Sequence, residues 1–165
     1  MGTPAEGPVV MNVAQARTSV HPRRATTLEF EPEDRPWADT GVNIQILAPG
    51  VPNCRYHREP VQEDFLVLHG ECIVILEGEE RHLRQWDLVH CPAGTDHVFV
   101  GAGEGPCAIL MIGSRREEGV HYPVNELAAR YDASVSTPTD DPAEAYADWR
   151  RTPWKPGENP WPLGS

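Results

Sequence analysis

The sequence predicts an all-β protein, an antiparallel barrel or sandwich followed by one or two short helices. Three observations carry this prediction. Short apolar or alternating runs recur at close spacing between Val42 and Ile112. Glycine and proline punctuate nearly every gap between them, as turns require. After Gly113 the period changes from that of a strand to that of a helix.

The elements are read in chain order. Residues 1–24 hold Pro, Gly, Ala and two adjacent arginines without a sustained period, which predicts a flexible arm or an edge-strand extension. A short strand over 26–30 precedes a Pro-broken loop. Val42-Asn43-Ile44-Gln45-Ile46 alternates apolar and polar, the pattern of a half-buried strand. Pro49-Gly50 and Pro52-Asn53 mark turns. Strands follow over 65–68, 72–76, 81–83, 88–91, 97–100 and 107–112, with Glu77-Gly78-Glu79 as a tight turn. Domain organisation is therefore an arm over 1–24, a β-barrel over 25–113 and an extension over 114–165. In the extension, Val124, Leu127, Ala128 and Tyr131 recur at helical spacing, with Pro123 at the first turn. Asp141-Pro142 reads as the N-cap and first position of a second helix. The last residues, rich in Pro and Trp, predict a tail without regular structure that packs on the surface.

The 165 residues suit one domain plus tails, and a chain of this length buries roughly 70% of its unfolded surface. A net charge of -11 argues against nucleic acid and anionic membranes as partners, since both reward clustered Lys and Arg. No apolar run of about 18 residues predicts a membrane-spanning helix. The N-terminal residues lack the basic start and apolar core of a secretory signal, so a cytoplasmic location is expected. Four cysteines, at 54, 72, 91 and 107, form no CxxC pair. Cys72 and Cys107 sit in apolar runs and read as small buried hydrophobes.

The chemistry concentrates between His57 and His97. His57 and Glu59 are two residues apart and share a strand face; Glu63, Phe65 and Val67 share another, and both faces can be the inside if the two strands form a hairpin; Phe99 shares the face of His97. Imidazoles and carboxylates together suit a divalent transition metal. The set His57, Glu59, Glu63 and His97 can surround one ion if the barrel brings His97 beside His57. The competing readings are structural: His57 bonded to Glu63 at a barrel mouth, or Glu63 capping a turn. His69 and His90, by a turn and a strand end, read as non-ligands, and Tyr56 should face away from His57. Phe65, Val67, Phe99 and Met111, with Leu88 as a further candidate, would line an apolar substrate cavity around these polar groups.

This stretch resembles the cupin superfamily over about residues 42–113. The first cupin motif runs roughly G, five residues, H-x-H, three or four residues, E, six residues, G. Here His57-x-Glu59-x-x-x-Glu63, six residues and Gly70 match its second half. Pro92-x-Gly94-x-x-His97 matches the core of the second motif. Departures occur at four places. Glu59 replaces the second histidine, Gly50 lies one residue too far from His57, Trp86 stands where glycine is usual, and Gly101 where asparagine is usual. The resemblance implies a jelly-roll barrel with a metal inside. Glu59 then either ligates it, or points to solvent or pairs with Arg58 or Arg55 at the rim.

Cupins carry many functions, so the fold selects none of them. One expectation is a metal-dependent enzyme on a small molecule, its metal one of Fe, Mn, Zn or Ni: dioxygenase-like if the metal is Fe, or an isomerase in which Zn or Mn acts as a Lewis acid. Glu59, where it is not a ligand, would be the base. The alternative is a binding or sensing module for a sugar or similar molecule, with a structural metal or none. Exposed edge strands predict a homodimer. An interaction role for the proline-rich tails has little motif support.

Overall fold

A computed structural model describes residues 7–164. Of the expected arm over 1–24, residues 1–6 lie outside the described residues. The strands are β1 (Arg17–Val20), β2 (Thr26–Glu29), β3 (Thr40–Leu47), β4 (Glu63–His69), β5 (Glu71–Leu76), β6 (Glu79–Arg84), β7 (Leu88–Cys91), β8 (His97–Ala102), β9 (Cys107–Ser114) and β10 (Lys155–Pro156). They form a seven-stranded sheet in the order β10-β1-β2-β3-β9-β4-β7 and a three-stranded sheet in the order β6-β5-β8. All the strand pairs are antiparallel. This is the expected all-β jelly roll.

Burial on both sides of the small sheet explains its composition. The inner cluster between the sheets holds Leu47, Phe65, Val67, Val74, Phe99 and Ile109. A second cluster lies on the outer face of the small sheet, where Ile73, Ile75, Val98 and Val100 pack under Ala128 and Ala133. β5 is therefore a continuous apolar run, as a strand covered on both faces must be. β6 at the edge reads EERHLR and is largely exposed. Cys72 and Cys107 are fully buried in the inner cluster, as expected.

The extensions differ from their sequence reading. β1 pairs with β2 over four residues, so the edge-strand alternative holds for Arg17–Val20 and the sheet begins before residue 25. The Pro- and Trp-rich tail contributes the short strand β10, with Ser19 opposite Pro156 and Val20 opposite Lys155. Proline is tolerated there because β10 is an edge strand. Trp161 and Leu163 pack with Leu28, Ile44 and Ile46 on the outer face of the large sheet. Both helices exist but are single turns, α1 (Glu126–Ala129) and α2 (Pro142–Ala145). Asn125 caps α1 by accepting from the Ala128 N–H, so Pro123 lies outside the helix. α2 has the predicted Asp141 cap and Pro142 at its first turn.

Arg55 ties the extension to the barrel. Its side chain is 5% exposed, pairs with Asp148 at 2.6 Å and lies 4.1 Å from the Trp149 ring centroid. It also donates to the carbonyls of Asp132 and Ala145.

Candidate metal centre

The centre is built across the two sheets. Residues 52–57 run beside β8, and Asn53 fixes their path: its N–H donates to the Phe99 carbonyl and its Oδ1 accepts from the Phe99 N–H, both at 2.9 Å. His57 then meets His97 in an antiparallel bridge. The proline-containing connection 60–62 carries the chain to the other sheet, where Glu63 opens β4. His57 and Glu63 therefore do not come from one hairpin. They face each other across the barrel.

His57, Glu63 and His97 offer one ligand atom each, all within 4.8 Å of one another. His97 Nε2 lies 3.3 Å from Glu63 Oε2. Two donors each ~2.0–2.1 Å from one ion stand about 3.0–3.4 Å apart, so this pair has the required spacing. The tautomers fit as well. His57 Nδ1 lies 2.8 Å from the Arg55 carbonyl and His97 Nδ1 lies 3.0 Å from the Thr95 carbonyl. A carbonyl only accepts, so each Nδ1 carries the proton and each Nε2 presents its lone pair inward. The three side chains fit a divalent metal.

Without an ion, the charged groups of this site compete for protons, and only His97 is held neutral. Burial and the neighbouring His57 push the His97 pKa down to about 3, so its imidazole is neutral. Burial and the Glu59 carboxylate push Glu63 up to about 7. Burial opposes protonation of His57, but the Cys54 thiol and the carboxylates of Glu59 and Glu63 outweigh it and raise its pKa above the ordinary value. A divalent cation would satisfy both carboxylates.

Glu59 belongs to the rim of this group. Its Oε1 is 3.7 Å from His57 Nε2 and its side chain is 36% exposed. It pairs with neither Arg58 nor Arg55, which bind Asp96 and Asp148. Its carbonyl accepts from the Gly94 N–H at 2.7 Å, where Gly94 turns with a φ of +81°. The PAGTDH turn thus positions both Glu59 and His97.

A cavity of about 790 Å³ opens on the centre. Phe65 and Met111 line it, while Val67 and Phe99 lie behind them, wholly buried in the inner cluster, and Leu88 points to solvent instead of the cavity. Phe65 packs between His97 and Phe99 with tilted rings, the centroids 5.2 and 4.6 Å away. His90 is exposed and bonded to Asp64, outside the barrel. Cys91 faces inward, and burial raises its thiol to about 12. Tyr56 faces away from the centre into the second cluster, where its hydroxyl accepts from the Gly78 N–H.

The sequence reading missed Arg24, Asn43, Gln45, Tyr122 and Tyr146, all of which line the cavity. Asn43 and Gln45 face inward because Ile44 and Ile46 are buried on the opposite, outer face by the terminal segments. The alternation of β3 was visible, but nothing local says that its polar face is the interior one.

The family model for the cupin domain matches residues 43–113. No curated protein matches the chain. Among solved structures, the polyketide cyclase RemF from Streptomyces resistomycificus is similar at a TM-score of 0.59 and 13% identity, over 69% of this chain and 84% of that one. A sugar phosphate isomerase from Silicibacter pomeroyi is similar at 0.54 and 20%, over 72% and 88%. The DMSP lyase DddQ from Ruegeria pomeroyi is similar at 0.50 and 19%, over 67% and 58%. These likenesses concern the fold. With this match and the two antiparallel sheets, residues 43–113 are a cupin domain and the fold of the chain is the cupin jelly roll.

Proposed function

We propose that this chain is a metal-dependent enzyme acting on a small oxygenated molecule inside the barrel. His57, His97 and Glu63 hold the metal, one of Fe, Mn, Zn or Ni, and Glu59 serves as base. The observation that carries this is the pair of Nδ1–H···O=C bonds that turns both Nε2 lone pairs toward Glu63. A bound divalent ion would supply Lewis acidity to a carbonyl, as isomerase-type chemistry needs.

The residues have separable tasks. Glu59 stands outside the mutual ligand set and opens on the cavity, which suits a group that takes a proton from carbon and returns it. Phe65 and Met111 exclude water from one wall. Tyr122, 6.0 Å from the His57 ring, has its pKa raised by burial and stays a neutral donor. Neighbours called a cyclase, an isomerase and a lyase are consistent with such non-oxidative chemistry on this scaffold. The dioxygenase-like reading rests on the donor set itself, since two histidines and a carboxylate suit Fe(II). A non-catalytic binding module would hold the same ligand without turnover.

The test is incorporation of solvent deuterium into hydroxy-carbonyl compounds by the metal-loaded protein. The isomerase reading expects exchange that Glu59→Gln abolishes while metal is retained. Oxygen consumption without exchange supports the dioxygenase-like reading, and neither signal supports the binding module. Four free cysteines fit a reducing, cytoplasmic compartment. Leu88 and Trp86 are exposed at the β7 edge and give the expected homodimer a candidate face, which light scattering on Leu88→Glu tests. No helix among the described residues is long and apolar enough to cross a membrane.

A further inference from the structure

We propose that the terminal segments build an oxyanion subsite at the mouth of the cavity, so that the substrate is a small hydroxylated carboxylate or phosphate ester. This rests on the reading of the cavity as a substrate site. The anion is held by Arg24, and the hydroxylated part by Asn43 and Gln45.

Arg24 is half-buried and lines the cavity. Aromatic rings surround it: its guanidinium carbon is 4.8 Å from the Tyr146 centroid, 5.1 Å from Trp154 and 5.7 Å from Trp149. Its Nε donates to the Asn53 carbonyl at 3.1 Å. Its two terminal nitrogens have no hydrogen bond or carboxylate partner among the described residues. Stacking engages the faces of the guanidinium and leaves its edge donors available, the arrangement that recognises an oxyanion. The other arginine lining the cavity, Arg115, is already taken up by both oxygens of Glu31.

Asn43 and Gln45 supply the second, independent observation. Both line the cavity, and Asn43 Oδ1 and Gln45 Oε1 are buried without a hydrogen-bond partner. Unsatisfied buried polar atoms are rare, and a ligand that pairs with the carboxamides would account for two of them. Each carboxamide can turn about its last torsion and present a donor or an acceptor, as a hydroxyl requires. In register, Asn43 lies opposite Met111, which lies opposite Phe65. The large sheet thus passes from the apolar wall to a polar one over two strand spacings, about 10 Å. A compact molecule of sugar size spans that distance, with its reacting end at Glu59 and Glu63. Those two carboxylates line the metal side and repel an anion, so its charged end is directed to Arg24. Arg24, Tyr146, Trp149 and Trp154 all lie outside the matched cupin domain at 43–113, which gives the extensions a role in selecting the ligand.

Calorimetric titration with gluconate, glucose 6-phosphate and neutral glucose tests this, using metal-loaded and chelator-treated full-length protein. At least one anion is expected to bind at least ~10-fold tighter than glucose, and Arg24→Gln to erase that margin, while Arg24→Lys keeps part of it. Asn43→Leu and Gln45→Leu are expected to weaken all binding probes together. Thermal melting confirms that the variants are folded. Preference for gluconate identifies a carboxylate, and preference for glucose 6-phosphate a phosphate. The proposal is overturned if neither anion binds, if glucose binds equally well, or if folded Arg24→Gln keeps the margin. An Arg24-dependent margin in protein that holds no metal leaves the subsite standing and removes only the metal reading.

Discussion

His57 and His97 are backbone partners. The His57 N–H donates to the His97 carbonyl at 3.1 Å, and the His97 N–H donates to the His57 carbonyl at 2.8 Å. Directly paired residues of an antiparallel bridge project their side chains to the same side, and the two rings stand 4.8 Å apart. Two residues forty positions apart in sequence thus become one bidentate donor unit. A slip of one residue would turn one ring out of the barrel.

Glu59 and Glu63 have different tasks on this account. Glu63→Gln is expected to lower metal affinity by about 100-fold or more, since the amide is a weaker ligand. Glu59→Gln is expected to keep metal at full stoichiometry and lose roughly 10²–10⁴ in turnover, the usual contribution of a positioned base. Elemental analysis and rate measurements on the two variants check both outcomes.

The raised pKa of Glu63 makes the metal-free protein less stable as pH rises. Burial and Glu59 lift its pKa from 4.5 unfolded to about 7 folded, so the folded state binds more protons between these values. Stability is then highest below the unfolded value and falls through this window, by up to ~3 kcal/mol if Glu63 titrates alone. Glu63→Gln should flatten this slope and stabilise the metal-free protein at pH 8. Denaturant titrations from pH 5 to 8 measure it.

Arg55→Leu should release the C-terminal extension. It removes a buried cation that bonds Asp148 and three carbonyls, and the loss is expected to be about 1–3 kcal/mol. Limited proteolysis of the variant should cut between residues 130 and 150 before the barrel is digested.

Two motif departures carry backbone consequences. Trp86 has a φ of +76° and is 67% exposed, a conformation that favours glycine. Trp86→Gly is expected to raise stability by about 1 kcal/mol. Gly101 is the opposite case: a Cβ there would stand 2.1 Å from the Ala48 carbonyl oxygen. Gly101→Ala, and the asparagine usual in the motif, should therefore disrupt the crossing of residues 48–51 over β8. Thermal melts of both variants test the pair.

The fold and the two histidines were legible because their signals are local: strand parity, turn residues and the PAGTDH stretch. The grouping of Glu63 with the histidines was legible from its spacing, although Glu63 and His57 meet across the barrel and not through a hairpin. Arg24, Asn43 and Gln45 were not legible. Their place depends on long-range packing, in which Tyr146, Trp149 and Trp154 surround Arg24 and the tails cover Ile44 and Ile46. The two short helices were legible from capping and period, but the single-turn length that packing permits was not.

The central claim is that His57, Glu63 and His97 bind one divalent metal. The most direct test is elemental analysis of tag-free protein after growth with Fe, Mn, Zn and Ni, in parallel with His97→Ala. The account predicts about one metal per chain in the parent and loss in the variant, whereas less than ~0.1 in the parent, or equal content in both, would contradict it.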